Sequence, residues 1–158
     1  MIIRKFNEYS LLSTAWEGRH AQHLSHLRWQ CESSFNFYKS VFGGEFSEFA
    51  TFAEAPADMN VPDSYKNRVM HVSLAIGDST LMASDHVPGC GPALVKGNDF
   101  AISITGKSKD HCDTLFAKLS EGGEVKMPLD ETFWGAYFGM WTDQFGINWM
   151  INYQLPQD

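Results

Sequence analysis

The chain has 158 residues, 44% of them hydrophobic and 20% charged, with a formal net charge of −7. That length suffices for one domain with a real core. The acidic balance argues against a nucleic-acid or anionic-membrane surface, because either would need clustered Lys and Arg. The cysteines, Cys31, Cys90 and Cys112, are odd in number and widely spaced, and no CxxC occurs. Disulfides are therefore not expected, and a reducing cytoplasm fits best. The opening MIIRKFNEYS has no long apolar run, so neither a signal peptide nor a membrane span is expected.

Elements become legible from Cys31 onward. CESSFNFYKSVFGG carries Phe35, Tyr38 and Phe42 at helical spacing, and Gly43-Gly44 supplies a stop. EFSEFATFAE reads as a strand, and the Pro-, Asp- and Asn-rich APADMNVPDSYKNR as a loop. VMHVSLAIGDSTLMASD reads as two strands with a tight turn at Gly77-Asp78. The pattern then returns. FAISIT is a strand, and SKDHCDTLFAKLSEGG is a helix with Cys112, Leu115, Phe116 and Leu119 on one face. Ser108 suits its N-cap. EVKMPL, GAYFGMWTD and INWMINYQ are three further strands. The element order is an internal βαβββ repeat, and a sheet with one face to bury would pair with its own copy. The expected fold is α+β, two paired βαβββ modules whose curved mixed sheets surround a central cavity. The expected boundaries are a divergent N-terminal extension at 1–22, a first module at 23–97 and a second at 98–158, all in one structural domain.

At this point FNFYKSVFGGEF, VMHVSLAIGDSTLMASD and LSEGGEVKMPLDETFWGAYFGMWTDQFGINWMIN resemble the PhnB-like branch of the vicinal oxygen chelate superfamily. That superfamily includes glyoxalase I, extradiol dioxygenases, and fosfomycin- and bleomycin-resistance proteins. The resemblance covers about residues 31–154 and implies paired βαβββ modules, usually in dimers. It does not imply one activity, because the fold hosts metalloenzymes and binding proteins alike.

The resemblance also implies a divalent metal held by His and Glu side chains from four strands. Here Met150 stands at the second module's Glu position and Met82 at the first module's, while Asp99 or Phe100 stands where a His is expected. A thioether is a poor ligand for such hard or borderline cations. No metal ligand and no cofactor is therefore assigned. His23 or His26 would be the first-strand candidates.

His71, mid-strand between Met70 and Val72, has two readings. One is a core or cavity histidine bonded to a neighbour. The other is a general base or substrate anchor, the one catalytic candidate. Asp85 and His86 either line the same mouth or form a polar turn, and His111 reads as solvated. Phe133, Trp134, Tyr137, Trp141 and Trp149 are core residues or the wall for a flat apolar ligand. Met82, Met140 and Met150 would make that wall adaptable, and Asn152 is a ligand donor beside Met150. The resulting candidate cavity is His71, Met82, Asp85, Trp134, Tyr137, Met150 and Asn152. No nucleophile elbow and no phosphate-binding glycine loop occurs.

The first thirty residues do not match the resemblance. Read one base later, codons for residues 28–31 permit Gly-Gly-Asn with one glycine forced, so a shifted reading frame stands beside a genuine N-terminus. On the genuine reading, Ile2, Ile3, Phe6, Tyr9 and Leu12 predict a short helix packed on the sheet or a partner, with residues near 24–27 in the first-strand slot. The expected protein is thus a metal-free, cytoplasmic, homodimeric binder of a small, partly aromatic molecule, with no nucleic-acid or membrane partner. The alternative is a glyoxalase-type lyase or transferase, or a dioxygenase-like metalloenzyme, and the sequence leaves open whether any reaction is catalysed.

Overall fold

The structure is a computed structural model describing the backbone of residues 22–27 together with residues 30–90 and 93–156. The helix expected within residues 2–12 lies outside the described residues. The chain separates into two compact units, one of residues 18–96 and one that includes residues 97–158.

The first unit runs β1 (Gln22–Leu27), α1 (Cys31–Phe42), β2 (Phe46–Thr51), β3 (Val69–Ile76) and β4 (Ser79–Asp85). Its four strands form one mixed sheet in the order β1-β4-β3-β2, with β1 parallel to β4 and the other pairs antiparallel. β1 takes in the slot expected near residues 24–27. β2 is shorter than the expected run: Phe52–Glu54 turn into a 3-10 turn, with Phe52 buried and the Glu54 carboxylate accepting the Thr51 N–H. The Pro-rich loop holds two more such turns, each led by a proline. Gly77, at φ 56°, makes the β3–β4 turn, a backbone conformation that L side chains rarely adopt.

Helix α1 packs on β3 and β4. It buries Cys31, Ser34, Phe35 and Tyr38 against a sheet face whose buried residues include Val72, Leu74, Leu81 and Ala83. Its N-cap position, Gln30, makes no side-chain cap bond. The missing acceptor comes from the far end of the sheet, where Asp85 Oδ1 accepts the Cys31 N–H at 3.1 Å and Oδ2 accepts the Val69 N–H at 3.0 Å. A carboxylate at a helix N-terminus satisfies an orphan donor and suits the helix dipole.

The second unit repeats the plan with β5 (Ile102–Thr105), α2 (Lys109–Ser120), β6 (Glu124–Glu131), β7 (Ala136–Thr142) and β8 (Asn148–Gln154). The sheet order is β5-β8-β7-β6, with β5 parallel to β8. Ser108 caps α2 by accepting the His111 N–H at 3.2 Å. Cys112, Leu115 and Leu119 are buried, and Phe116 meets Trp141 edge-on at 5.1 Å. That approach needs Gly139, since a Cβ there would lie 2.9 Å from the Phe116 ring and 3.1 Å from Leu129 Cα. The fold is therefore α+β, two βαβββ modules with open mixed sheets.

The β7–β8 turn is built around one carboxylate. Asp143 Oδ1 accepts the N–H groups of Phe145 and Ile147, both at 2.9 Å, and Oδ2 accepts the Trp149 indole N–H at 2.8 Å. Trp149 in turn lies parallel to Trp141 at 6.4 Å. We expect Asp143→Ala to lower the unfolding free energy by roughly 3 kcal/mol, since it strands three donors at least part-buried around a charged acceptor. Asp143→Asn should lose less. Urea denaturation measures both, and an unmoved Asp143→Ala midpoint would contradict the role.

Candidate ligand-binding site

Strand alternation decides which residues can meet a ligand. In the first sheet Val72, Leu74, Leu81, Ala83 and Asp85 share the helix-covered face, marked by the bond from Cys31 to Asp85. His71, Ser73 and Met82 therefore occupy the helix-free face, with Ser73 paired to Met82 across the strands. In the second sheet Tyr137, Gly139 and Trp141 face α2, with Trp149, Ile151 and Tyr153 paired beside them. Phe138, Met140, Met150 and Asn152 hold the helix-free face, with Phe138 paired to Asn152 and Met140 to Met150.

The structure thus brings Met150 and Asn152 onto one face. Trp134 joins them from the β6–β7 turn, its ring 6.1 Å from that of Phe138. Trp134 is 51% exposed, and Phe133, stacked edge-on against it at 4.8 Å, is 98% exposed. The turn is held by Thr132, whose hydroxyl accepts the Ala136 N–H and donates to the Ala136 carbonyl. Trp141 and Trp149 are buried on the helix side and belong to the core.

Two expected cavity residues stand elsewhere. Asp85 is buried on the helix-covered face of its sheet, opposite His71 and Met82, and both its oxygens accept backbone N–H groups. Tyr137 is on the helix side of the second sheet, opposite Met150 and Asn152. Its hydroxyl donates to Asp113 Oδ1 at 2.8 Å, and Lys109 Nζ lies 5.5 Å from its ring centre. Lys109 also pairs with Glu131. His111 is half-buried rather than simply solvated, and its Nδ1 accepts the Lys107 N–H at 3.2 Å.

His71 acquires a partner that strand periodicity does not disclose. Its Nε2 is 3.0 Å from Glu48 Oε2, on the neighbouring strand β2. A register irregularity between Phe46 and Glu48 puts Glu48 opposite Ser73, two residues along β3 from His71. An irregular strand is the kind of shift that alternation alone misplaces. His23 and His26 fall in β1, where only the backbone is described: His23 pairs with Leu81 and His26 with Ser84.

Among the described side chains, the donor set does not fit a divalent cation of the kind the superfamily's enzymes hold. The positions expected to carry carboxylates carry the thioethers of Met82 and Met150. Asp99 and Phe100 are exposed and precede β5. Among the described residues no three His, Cys, Asp or Glu side chains gather as a metal site.

Comparison with known proteins accords with the fold. The family described as "Glyoxalase/Bleomycin resistance protein/Dioxygenase superfamily" matches residues 21–151. Protein YjdN of Escherichia coli is 29% identical over 133 residues, covering 77% of this chain and 86% of that protein. The crystal structure of PA1353 from Pseudomonas aeruginosa is 35% identical with a TM-score of 0.76, covering 88% of this chain and all of that one. A Bacillus cereus PhnB protein, described as a putative 3-demethylubiquinone-9 3-methyltransferase, shares the fold at 20% identity and a TM-score of 0.69, covering 85% of this chain and 99% of that one.

The Asp113 hydrogen bond, with burial second, pushes the Tyr137 hydroxyl up from 10.0 to about 12. The fold favours the protonated phenol, so this contribution is full below pH 10 and is lost as pH rises toward 12. Phenolate absorbance should show one tyrosine titrating late, and Asp113→Asn should bring it back toward the ordinary value. A Tyr137 that titrates normally in the parent protein would refute the bond.

Proposed function

We propose, for a chain that belongs to the glyoxalase/bleomycin resistance protein/dioxygenase superfamily, that it binds a small, partly aromatic molecule without a catalytic metal. The observation that carries the reading is the helix-free face of the second sheet. There Phe138, Met140 and Met150 make an apolar floor beside the Asn152 amide, and Trp134 stands at its edge. Such a surface matches the usual make-up of a ligand pocket: mostly apolar walls with a few placed polar groups. Asn152 offers both donor and acceptor, and the methionines adapt to shape. On the first sheet His71 and Met82 hold the helix-free face of their own module. Asp85 and Tyr137 are left out of this surface because their polar atoms are engaged on the helix sides.

Free thiols at Cys31, Cys90 and Cys112 support a reducing, cytoplasmic setting. The edge strand β6, with Val125 exposed on the helix side, supports self-association as a homodimer. Among the described residues no helix is long and apolar enough to cross a membrane.

The second reading is a glyoxalase-type lyase or transferase. The His71–Glu48 contact favours it, because a carboxylate fixes an imidazole's tautomer and leaves Nδ1 for proton transfer. Protein purified without chelators and then offered nickel, zinc and manganese separates the two. We expect no stoichiometric divalent metal, and a melting temperature that rises with the concentration of a small aromatic ligand. Asn152→Ala should weaken that ligand by about tenfold, the worth of one hydrogen bond left unmade. One tightly held divalent metal per chain would overturn the binder reading and move the metalloenzyme to first place.

A further inference from the structure

Three of the chain's seven methionines stand in one row. Met127 on β6 pairs with Met140 on β7, and Met140 pairs with Met150 on β8. Paired residues on adjacent strands project from the same face, with Cβ atoms roughly 4.5–5.5 Å apart. The three side chains therefore rise side by side from the helix-free face, the outer two about 10 Å apart at their strands. Met is unbranched with three rotatable bonds, so outer thioethers can lean toward the middle one. The row continues to Ser103 on β5, which brings no carboxylate or imidazole into it.

We propose that Met127, Met140 and Met150 form a binding site for one soft monovalent cation, copper(I). Thioethers are soft neutral donors that select copper(I) over zinc or manganese. The preference that disqualifies Met150 as a ligand for the superfamily's divalent metals thus qualifies the row for this one. Access is open at the sheet edge: β6 is the last strand, Met127 is 36% exposed, and Met140 and Met150 are half-buried. Aromatic faces border the row, with Phe138 two residues from Met140 on the same face and Trp134 against Phe138. An electron-rich ring face near a cation adds to its binding. An apolar wall alone would be served as well by leucine. The thioether row makes a distinct claim because leucine should abolish it.

The site does not depend on the organic-ligand reading, and the two fail separately. The strongest competitor for copper(I) is a thiolate. Cys31 and Cys112 are fully buried in the cores of their modules, which keeps their thiols from an added cation. Cys90 is only half-buried and is removed for the test. Full-length Cys90→Ser protein would be titrated anaerobically with copper(I) against a chromophoric copper(I) chelator, and X-ray absorption would identify the donor atoms.

We expect one copper(I) per chain in a sulfur-only shell, and no comparable binding of zinc or manganese. Met→Leu is nearly volume-conserving and keeps the fold. Each of Met127→Leu, Met140→Leu and Met150→Leu should weaken binding at least about tenfold, since even an outer-shell loss costs that much. The triple variant should abolish it, and Met82→Leu in the first module should leave it unchanged. Absence of stoichiometric copper(I), a shell containing nitrogen, or a triple variant that still binds would overturn the proposal. Asn152→Ala lies outside the row, so a variant that loses stabilisation by an aromatic ligand but still takes up one copper(I) would uphold the cation site apart from the binder reading.

Discussion

Each sheet has two faces, and in each module one of them belongs to the helix. That constraint governs the rest of the structure. A strand residue cannot serve both sides, so packing of α1 on Val72, Leu74, Leu81 and Ala83 leaves the neighbouring His71, Ser73 and Met82 pointing away. In the second module Phe116 fits over Gly139 and against Trp141, and the intervening Phe138 and Met140 are turned to the other side. The helix-free faces are therefore by-products of core formation before they are anything chemical. Their composition is still informative. Their charges lie on the outer strands, Glu48 on β2 and Asp130 on β6. Met140 and Met150 instead hold the centre of the second one.

Carboxylates in this chain hold the structure together at the places where the backbone runs out of partners. Asp85 supplies a helix N-terminus that Gln30 leaves uncapped and ties it to the first residue of β3. Asp143 closes a turn and fixes the indole of Trp149, so the hairpin and the tryptophan pair of the core are set by one side chain. A buried carboxylate whose oxygens already accept two or three N–H bonds is engaged with the fold and turns no oxygen to a substrate. This is why acidic residues near the ends of β4 and β7 read better as joints than as catalysts.

Element order was legible because hydrophobic periodicity and paired glycines mark it locally. The helix over Cys31–Phe42, the helix over Lys109–Ser120 and the strand pairs around Gly77 follow from residues within a few positions of one another. Side of sheet was harder. Met150 and Asn152 were placed together because both lie on one strand, where a spacing of two decides the matter. Tyr137 was not separable from them, since its face depends on which side α2 packs. Asp85 looked like a polar residue at a strand end, and only the chain path brings Cys31 and Val69 to it. Glu48 is not legible as a partner of His71 because a register irregularity in β2, invisible to alternation, puts it opposite Ser73 and within reach of His71. Met127 is hidden for a similar reason: it sits between two irregularities in β6, so its alignment with Met140 is a property of pairing.

The chemistry of the fold can be followed through hardness. A vicinal oxygen chelate enzyme works by presenting hard or borderline donors to a divalent cation that polarises a substrate oxygen. Replacing a carboxylate with a thioether changes more than charge. It removes the hard donor and leaves a polarizable, apolar, flexible group in the same place. Such a face can still hold flat apolar molecules through dispersion and can order them with a single amide such as Asn152. It can also discriminate among cations in the opposite sense from an oxygen-rich site. The row from Met127 to Met150 runs perpendicular to the strands, so each thioether sits on a different strand and is positioned by a different set of backbone hydrogen bonds. Loss of one methionine therefore leaves the other two in place, and the property of the face is carried by the pairing register of β6, β7 and β8 rather than by any one strand's sequence.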